Sequence, residues 1–326
     1  MNKATASAAS VELSIVIPVY NSAAIFPELY RRLTAALAPI APAFEIVAVV
    51  DGCRDGSFDV IRDHAQRDSR VKVLEFSRNF GHQAAVTAGL EHAAGAIVGI
   101  MDDDLEDPPE VVPQLVARLR EGHDVVYGIR RRRKRSVIHR MLYSAFYRVL
   151  AHMTDVQMPA DAGDFCVMRR CVVDALNAMP ENNRYLRGLR AWVGFRQVGV
   201  EYDRDARLAG ESGYSFRKYF ALASTAIMAF SYKPLVYVSR VGVLVAFTSF
   251  LAAVYLVFGK LSGRVPDVPG WVSLLVTVLL LSGVQLISIG ILGQYLMRIY
   301  DEVKKRPMYV VNRAVGFGQE SKHGRD

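Results

Sequence analysis

Three consecutive aspartates, Asp102-Asp103-Asp104, follow a short apolar run, Ile97-Val98-Gly99-Ile100-Met101, and precede Pro108-Pro109. The apolar run reads as a buried strand, and the prolines forbid its continuation. Side chains alternate along a strand, so Asp102 and Asp104 are expected on one side and Asp103 on the other. Two carboxylates converging at a strand's carboxyl end suit a hard divalent cation, Mg²⁺ or Mn²⁺, that also binds substrate phosphates. The same stretch also reads as a solvated acidic turn before a helix, with Asp107 and Glu110 favouring the helix N-terminus. Six consecutive cationic residues run from Arg130 to Arg135 at the end of another strand-like run. Arg130, nearest the strand, is expected to meet phosphate, and Arg131 onward to face solvent or anionic headgroups. Arg184, Arg187 and Arg190 recur every three residues and so can line one helix face, toward an acceptor phosphate or in a structural role.

The elements that must position these groups alternate in type. Leu13 to Tyr20 reads as a strand, and Asn21-Ser22 as the N-cap of a helix reaching about Leu37. Phe44–Val50 is a second strand, ending in the polar, turn-rich loop 51–57. A helix to about Asp68, a strand at Val71–Phe76, a helix at Ala84–Ala94 and the acid-tipped strand from Ile97 follow. Helix Pro109–Glu121 and strand Asp124–Tyr127 complete the run. This alternation predicts an α/β fold, a parallel sheet with helices on both faces. Ligands of such sheets sit at the carboxyl ends of the strands, where the loops at Asn21, Asp51 and Asp102 all emerge. One nucleotide site is the expectation.

The chain has 326 residues, 52% of them hydrophobic, enough for a sizeable core and more than one domain. Residues 236–258 and 272–297 are apolar runs, each longer than the ~20 residues that cross a hydrocarbon core. Two membrane-spanning helices are therefore expected. Arg217, Lys218, Lys233 and Arg240 lie before the first or at its start; Arg298, Lys304, Lys305 and Arg306 follow the second. By the positive-inside rule, both termini and the catalytic domain are expected to be cytoplasmic, in a multi-pass protein of the cytoplasmic (inner) membrane. Glu12 and Pro18 interrupt the first apolar stretch, which excludes it as a secretory leader. Three cysteines, Cys53, Cys166 and Cys171, have neither metal nor disulfide spacing and fit a reducing compartment. The net charge of +8 points to anionic lipid and phosphate before nucleic acid, for which no aromatic-basic motif is present. Residues 214–233 read as an interfacial helix on the bilayer or, alternatively, as a helix packed on its own domain. Gly283, Gly290, Ser282 and Ser288 permit close helix approach, so a homo-oligomer is expected, with a tetramer among the open states. The expected organisation is a disordered lead at 1–10, a catalytic domain at 11–212, an amphipathic juxtamembrane segment at 213–235, a two-helix membrane domain at 236–298 and a cytoplasmic tail at 299–326.

The segments SIVIPVYN at 14–21, DGCRDGS at 51–57, SRNFGHQAA at 77–85, DDDLEDPPE at 102–110 and YGIRRRR at 127–133 occur in that order. DAGDF at 161–165, RYLRGLRAWVGF at 184–195 and RLAGESGYSFRK at 207–218 continue the series. Together they resemble glycosyltransferase family 2 with its Rossmann-like, mostly parallel GT-A fold. Within it the chain is similar to the polyprenyl-phosphate glycosyltransferases, the group of bactoprenol glucosyltransferases and dolichyl-phosphate mannose synthases.

The resemblance implies that Pro18, Tyr20, Asn21 and Asp51 meet the nucleotide base and ribose, and that Arg78 belongs to the loop over it. Asp102 and Asp104 would carry the metal, and Asp103 would contact ribose or donor sugar. Arg207, Ser212 and Lys218 would belong to a loop that closes on the donor. Arg130 would meet phosphate, and Arg131, Arg184 and Arg187 would face the acceptor. His82 reads as a hydrogen-bonding loop residue. Asp161 and Asp164 fall in the segment that holds the family's proposed base. Yet a phosphate monoester has a second pKa of about 6 and is largely ionised at neutral pH. The expected role of either aspartate is therefore to orient arginines or sugar hydroxyls. The chain departs from the family at Val50, Glu106 and Gly213, where an acid, Gln and Lys are usual. The implied reaction is inverting transfer of one sugar, glucose from UDP-glucose as first choice, to polyprenyl (undecaprenyl) phosphate. A mannose synthase, a processive polysaccharide synthase and a non-catalytic nucleotide-binding membrane scaffold are the alternatives.

Overall fold

The computed structural model describes residues 11–131, 162–182, 184–203, 231, 233–262 and 270–317. The chain forms two compact units, one built on a sheet and one on two long helices, and it returns to the sheet unit at Arg306.

The sheet unit begins with strand β1 (Leu13–Val19), helix α1 (Phe26–Leu37) and strand β2 (Phe44–Val50). Helix α2 (Ser57–Arg67), strand β3 (Val71–Phe76), helix α3 (His82–His92) and strand β4 (Ile97–Ile100) follow. A 3₁₀ turn at Pro109–Val111 leads into α4 (Val112–Arg120) and β5 (Val125–Arg130). Then come β6 (Ala162–Arg169), α5 (Arg170–Asn177), α6 (Leu186–Trp192) and β7 (Gln197–Tyr202). The last strand, β8 (Val311–Val315), lies beyond the long helices in sequence. The sheet order is β7-β5-β6-β4-β1-β2-β3-β8. Neighbours are parallel except at β6, antiparallel to both β4 and β5, and at β8, antiparallel to β3.

Burial explains the layering. β1 and β2 are buried at every position, as a sheet covered on both faces requires. In α1 the buried residues are Phe26, Leu29, Leu33 and Leu37, and in α4 they are Val112, Leu115, Val116 and Leu119. Both sets keep the three-and-four spacing of one helix face. They join Ile15, Ile17, Ile46 and Ala48 in one core. Each large side chain so buried contributes about 1.5–3 kcal/mol before entropy is counted. On the other sheet face α3 comes unusually close, because Ala84, Ala85, Ala88 and Gly89 leave almost no side chain between helix and sheet. A Cβ on Gly89 would stand 2.1 Å from Val16 Cγ1.

Several expectations are corrected. The sheet is mixed, and β5 is separated from β4 by β6. Residues 162–165 of the DAGDF segment begin strand β6, whereas Asp161 lies outside the described residues. Helix α1 starts at Phe26 without a side-chain cap, because Ser22 is engaged elsewhere. Part of the expected tail is a sheet strand, fastened by Arg313 to Glu75 at 2.6 and 2.8 Å.

The second unit holds α7 (Lys233–Leu261) and α8 (Trp271–Lys304). Lys233–Ala252 and Leu280–Lys304 are long and apolar enough to cross a membrane. Phe247, Phe250, Leu286 and Ile287 are all more than half exposed, an arrangement that water disfavours and lipid does not.

Gly89→Ala should destabilise the protein by about 1–3 kcal/mol, because the β-branched Val16 cannot swing clear. Thermal unfolding of the purified chain checks this, and an unchanged Tm would show that α3 is free to move away from β1.

Candidate functional site

The antiparallel register of β4 and β6 places the acids. Ile100, the last residue of β4, pairs with Cys166, so Asp102 runs on past the strand end while Asp164 comes in along β6 at the same level. His82 opens α3 beside them, its Nε2 3.9 Å from Asp102 Oδ1 and 3.7 Å from Asp164 Oδ2. Arg187 on α6 grips Asp164 with two parallel bonds, Nε to Oδ1 at 2.8 Å and Nη2 to Oδ2 at 3.0 Å. This fork-on-carboxylate geometry is the strong form of the pair.

The charges respond unequally. Burial chiefly pushes Asp102 up to about 6; His82 opposes the shift, and the neighbouring charges of Asp164, Asp107 and Asp104 add to it. Burial would raise Asp164 too, but His82 and Arg187 overturn that and hold it well below the usual carboxylate range. Burial works against a charged His82, yet Asp164 and Asp102 raise it on balance. Burial likewise raises Asp103, although Ser22 and the Tyr20 amide favour its ionised form.

The triple aspartate does not continue the strand, which ends at Ile100, so simple alternation does not apply. Asp103 instead ties this loop to the end of β1, accepting from Tyr20 N–H at 2.9 Å and Ser22 Oγ–H at 2.6 Å. Asp104 accepts from Glu106 N–H at 3.1 Å within its own turn. Asp102 and Asp104 offer hard oxygen donors only. Among the described residues no group of three or more His, Cys, Asp or Glu is gathered as a metal cage. Two carboxylates that need further oxygens from a bound phosphate are the usual protein share of a Mg²⁺ site.

The nucleotide-side loops are laced together. Asp51 is buried and accepts Phe80 N–H at 2.6 Å and Gly81 N–H at 2.9 Å, so both its oxygens shape the 78–81 loop. Gly52, at φ +63°, lets the loops touch through backbone: a Cβ there would lie 2.3 Å from Asn79 N. Asn21, at φ +54°, accepts Arg54 N–H at 3.2 Å. Pro18 is buried in β1, Tyr20 is 56% exposed, and Arg78 is exposed with its guanidinium over the Phe80 ring.

Three of the arginines singled out in the sequence are engaged by the protein itself. Arg130 donates to buried Asp107 at 2.9 Å and to Tyr202 Oη at 3.2 Å, and Tyr202 donates to Asp107 at 2.5 Å. That pairing fixes the ends of β5 and β7 to the turn before α4. Arg131 lies beside Glu201 and Asp203 on the sheet edge. Arg184 precedes α6 instead of sharing its face; it is buried and caps α5 by donating to the carbonyls of Leu176 and Met179. The reading of Arg184 as an acceptor contact is corrected on that ground. Arg187 alone of the expected acceptor arginines reaches the acidic cluster. Arg207, Ser212 and Lys218 of the expected donor loop lie outside the described residues, as does Asp161. Ser22 and Asp107 are the site's unforeseen members, and His82, expected as a hydrogen-bonding loop residue, opens α3 beside both acids.

A mostly parallel α/β sheet with acids at the carboxyl ends of β2 and β4 is the frame of a GT-A-type glycosyltransferase domain. Residues 14–176 match the family model described as Glycosyl transferase family 2. The chain belongs to that family, and it is a glycosyltransferase. It is 42% identical to "Uncharacterized glycosyltransferase YkcC" of Bacillus subtilis (strain 168), over 94% of this chain and 95% of that protein. It is 37% identical to the SfII prophage-derived bactoprenol glucosyl transferase of Shigella flexneri, over 93% and 98% respectively. Among solved structures, the mannosyltransferase PcManGT from Pyrobaculum calidifontis in complex with GDP-Man and Mn²⁺ superposes with a TM-score of 0.49 at 17% identity, covering 90% of this chain and 86% of that one.

Arg187→Gln should lower stability at pH 7 by about 2 kcal/mol, less than a fully buried pair costs because the arginine is partly exposed. Asp164, depressed in the folded state, contributes in full above the ordinary carboxylate pKa of about 4 and loses that contribution progressively as pH falls from there through its lowered folded value, so the deficit shrinks below about pH 4. Denaturant unfolding at pH 7 and pH 3.5 reads both limbs, and an equal deficit at the two values would separate the effect from Asp164.

Proposed function

We propose that this chain transfers one sugar from a nucleotide-sugar donor to the phosphate of a polyprenyl lipid, at the cytoplasmic face of the membrane. Glucose from UDP-glucose is the donor that the bactoprenol glucosyl transferase relatives favour. The observation that carries the reading is the joining of a family 2 domain, acids at its sheet edge, to two exposed apolar helices. A lipid acceptor is insoluble, and only an enzyme held at the bilayer meets its headgroup.

The sheet also supports a topology. Strand β8 follows both apolar helices yet pairs with β3, so the segments before and after the helices share one compartment. Two crossings satisfy this, and one does not.

Asp102 and Asp104 are the residues that would hold Mg²⁺ or Mn²⁺, whose role when bound is to neutralise the departing nucleoside diphosphate. The fit rests on an all-oxygen donor set and on the like charges of Asp104, Asp107 and Asp164 around a buried Asp102, which a cation would relieve. Asp51, through the amides of Phe80 and Gly81, shapes the base side of the donor pocket. Asp164 acts by orientation. Its carboxylate is committed to Arg187 and its pKa is depressed, both of which make it a weak base. An ionised phosphate acceptor needs alignment and relief from like charge, which Arg187 is placed to give. Attack on the anomeric carbon breaks its bond to the diphosphate and forms the new bond to the acceptor oxygen, with inversion.

The purified chain, given a panel of nucleotide sugars and a short-chain polyprenyl phosphate, should release nucleoside diphosphate only when donor and lipid acceptor are both present. Mass spectrometry should then find a single added hexose on the lipid. Asp102→Asn with Asp104→Asn should reduce turnover at least about a thousandfold, in line with loss of a leading electrostatic stabiliser. Turnover undiminished in that double variant, or release independent of lipid, would overturn the reading.

A further inference from the structure

The segment that re-enters the sheet after the long helices reaches, through a row of rings, the loop assigned above to the nucleotide. Tyr309 stacks on Phe76, ring centroids 4.9 Å apart and planes 17° from parallel. Phe76, buried at the end of β3, meets Phe80 edge to face at 5.7 Å. Phe80 in turn gives its N–H to Asp51, and the Arg78 guanidinium lies over its ring, 4.7 Å from the centroid. The tyrosine is fixed at both ends. Its hydroxyl donates to Glu91 on α3, and the carbonyl of the next residue, Val310, accepts Ser77 N–H at 3.0 Å. The register of β3 with β8 shifts between Glu75 and Phe76, as a bulge would produce, just where the stack begins.

We infer that Tyr309 is a positioning residue for the donor site: by bracing Phe76 and, through it, Phe80, it holds the 78–81 loop against Asp51. The inference rests on the donor-site reading for its functional consequence. The physical reasoning is one of degrees of freedom. Residues 77–81 contain no regular structure and are half-buried or exposed, so two amide bonds to Asp51 and the Phe80 ring are what define the loop. An edge-to-face or stacked pair adds about 0.5–1.5 kcal/mol beyond area burial and also fixes ring orientation. With Tyr309 removed, Phe76 loses its cover on the β8 side, and Phe80 loses the fixed surface it leans on. The amides of Phe80 and Gly81 should then leave Asp51 more often. Since Tyr309 stands five residues after Lys304, the end of α8, the site would depend on a segment that the catalytic domain's own contiguous sequence does not supply.

The test uses the full chain in detergent with two readouts, UDP binding in the presence of Mn²⁺ by calorimetry and hydrogen exchange of the peptide spanning residues 77–84. Tyr309→Ala should weaken UDP about tenfold and speed exchange of that peptide, while β1 and β2 peptides keep their protection. Tyr309→Phe, which retains the ring, should stay close to the unsubstituted protein in both. If Tyr309→Ala does not fold, Phe80→Leu breaks the same row one step nearer the site and should give the same pair of changes. Unaltered exchange at 77–84 with unaltered UDP affinity would overturn the inference and leave the donor-site reading standing. An unsubstituted protein that fails to bind UDP would overturn that reading and the functional half of the inference, while the exchange data would still decide whether Tyr309 holds the loop.

Discussion

Two carboxylates that would rather be apart are held at one level by the pairing of β4 with β6, and the rest of the site is arranged around their repulsion. Asp164 is neutralised from inside the protein by the fork of Arg187. Asp102 has no comparable partner in the described structure; His82 stands 3.9 Å away, and burial, with the acids around it, raises its proton affinity. The cluster is therefore lopsided by construction. One acid is satisfied and oriented, and the other is left in an environment that favours an incoming cation. Like charges brought together at a sheet edge cost stability unless compensated, so their presence marks a site whose electrostatics are completed by what binds there.

The fold achieves this by breaking its own rule. A run of parallel strands delivers loops to the carboxyl edge, and β1, β2 and β4 do so with the 20–23, 51–57 and 101–107 segments. An antiparallel strand entering at that edge delivers ordered strand residues instead, and β6 brings Gly163 and Asp164 in on a fixed register. Precision of that kind is difficult for a loop, whose backbone has few neighbours to define it. The flank is braced in the same spirit. Buried Asp107 gathers Arg130 and Tyr202 from β5 and β7, so the ends of those strands are tied to the turn that follows the triple aspartate. A buried charge so well bonded specifies position more than it adds stability.

Much of this was legible in the chain. The runs LSIVIPV and FEIVAVV are too apolar for one-sided strands, and their spacing from helical stretches leaves a doubly covered sheet as the answer. The positions of Asn21, Asp51 and Asp102 at strand ends followed from that. What was hidden depended on partners remote in sequence. VNRAV at 311–315 is short and half polar, as an edge strand can be, and its partner β3 lies more than two hundred residues earlier. Arg184 kept the spacing of a helical stripe but stands before the helix begins, where unpaired carbonyls of α5 claim it. Ser22 has the composition of a cap, yet Asp103 offers its hydroxyl a charged acceptor, a stronger partner than a helix amide. In each case local preference was overruled by a charge or a backbone group that only folding brings near.

The proposed chemistry gives that hierarchy a purpose. A phosphate monoester already carries the negative charge that makes it a nucleophile, so the difficulty lies in bringing one anion up to another. A site that paired both of its acids internally would have no place for a cation, and one that paired neither would repel donor and acceptor alike. Pairing Asp164 with Arg187 and leaving Asp102 toward the donor side resolves the conflict. On the proposed reading, the Asp164–Arg187 pair would stand where an acceptor anion approaches and Asp102 where a metal-bound diphosphate rests. His82 stands between the two acids, its Nε2 within 4 Å of a carboxylate oxygen of each. Its place at the first residue of α3 ties its position to a helix that packs close against β1. On this reading, close packing of α3 on β1 bears on the geometry of transfer as much as on the stability of the core.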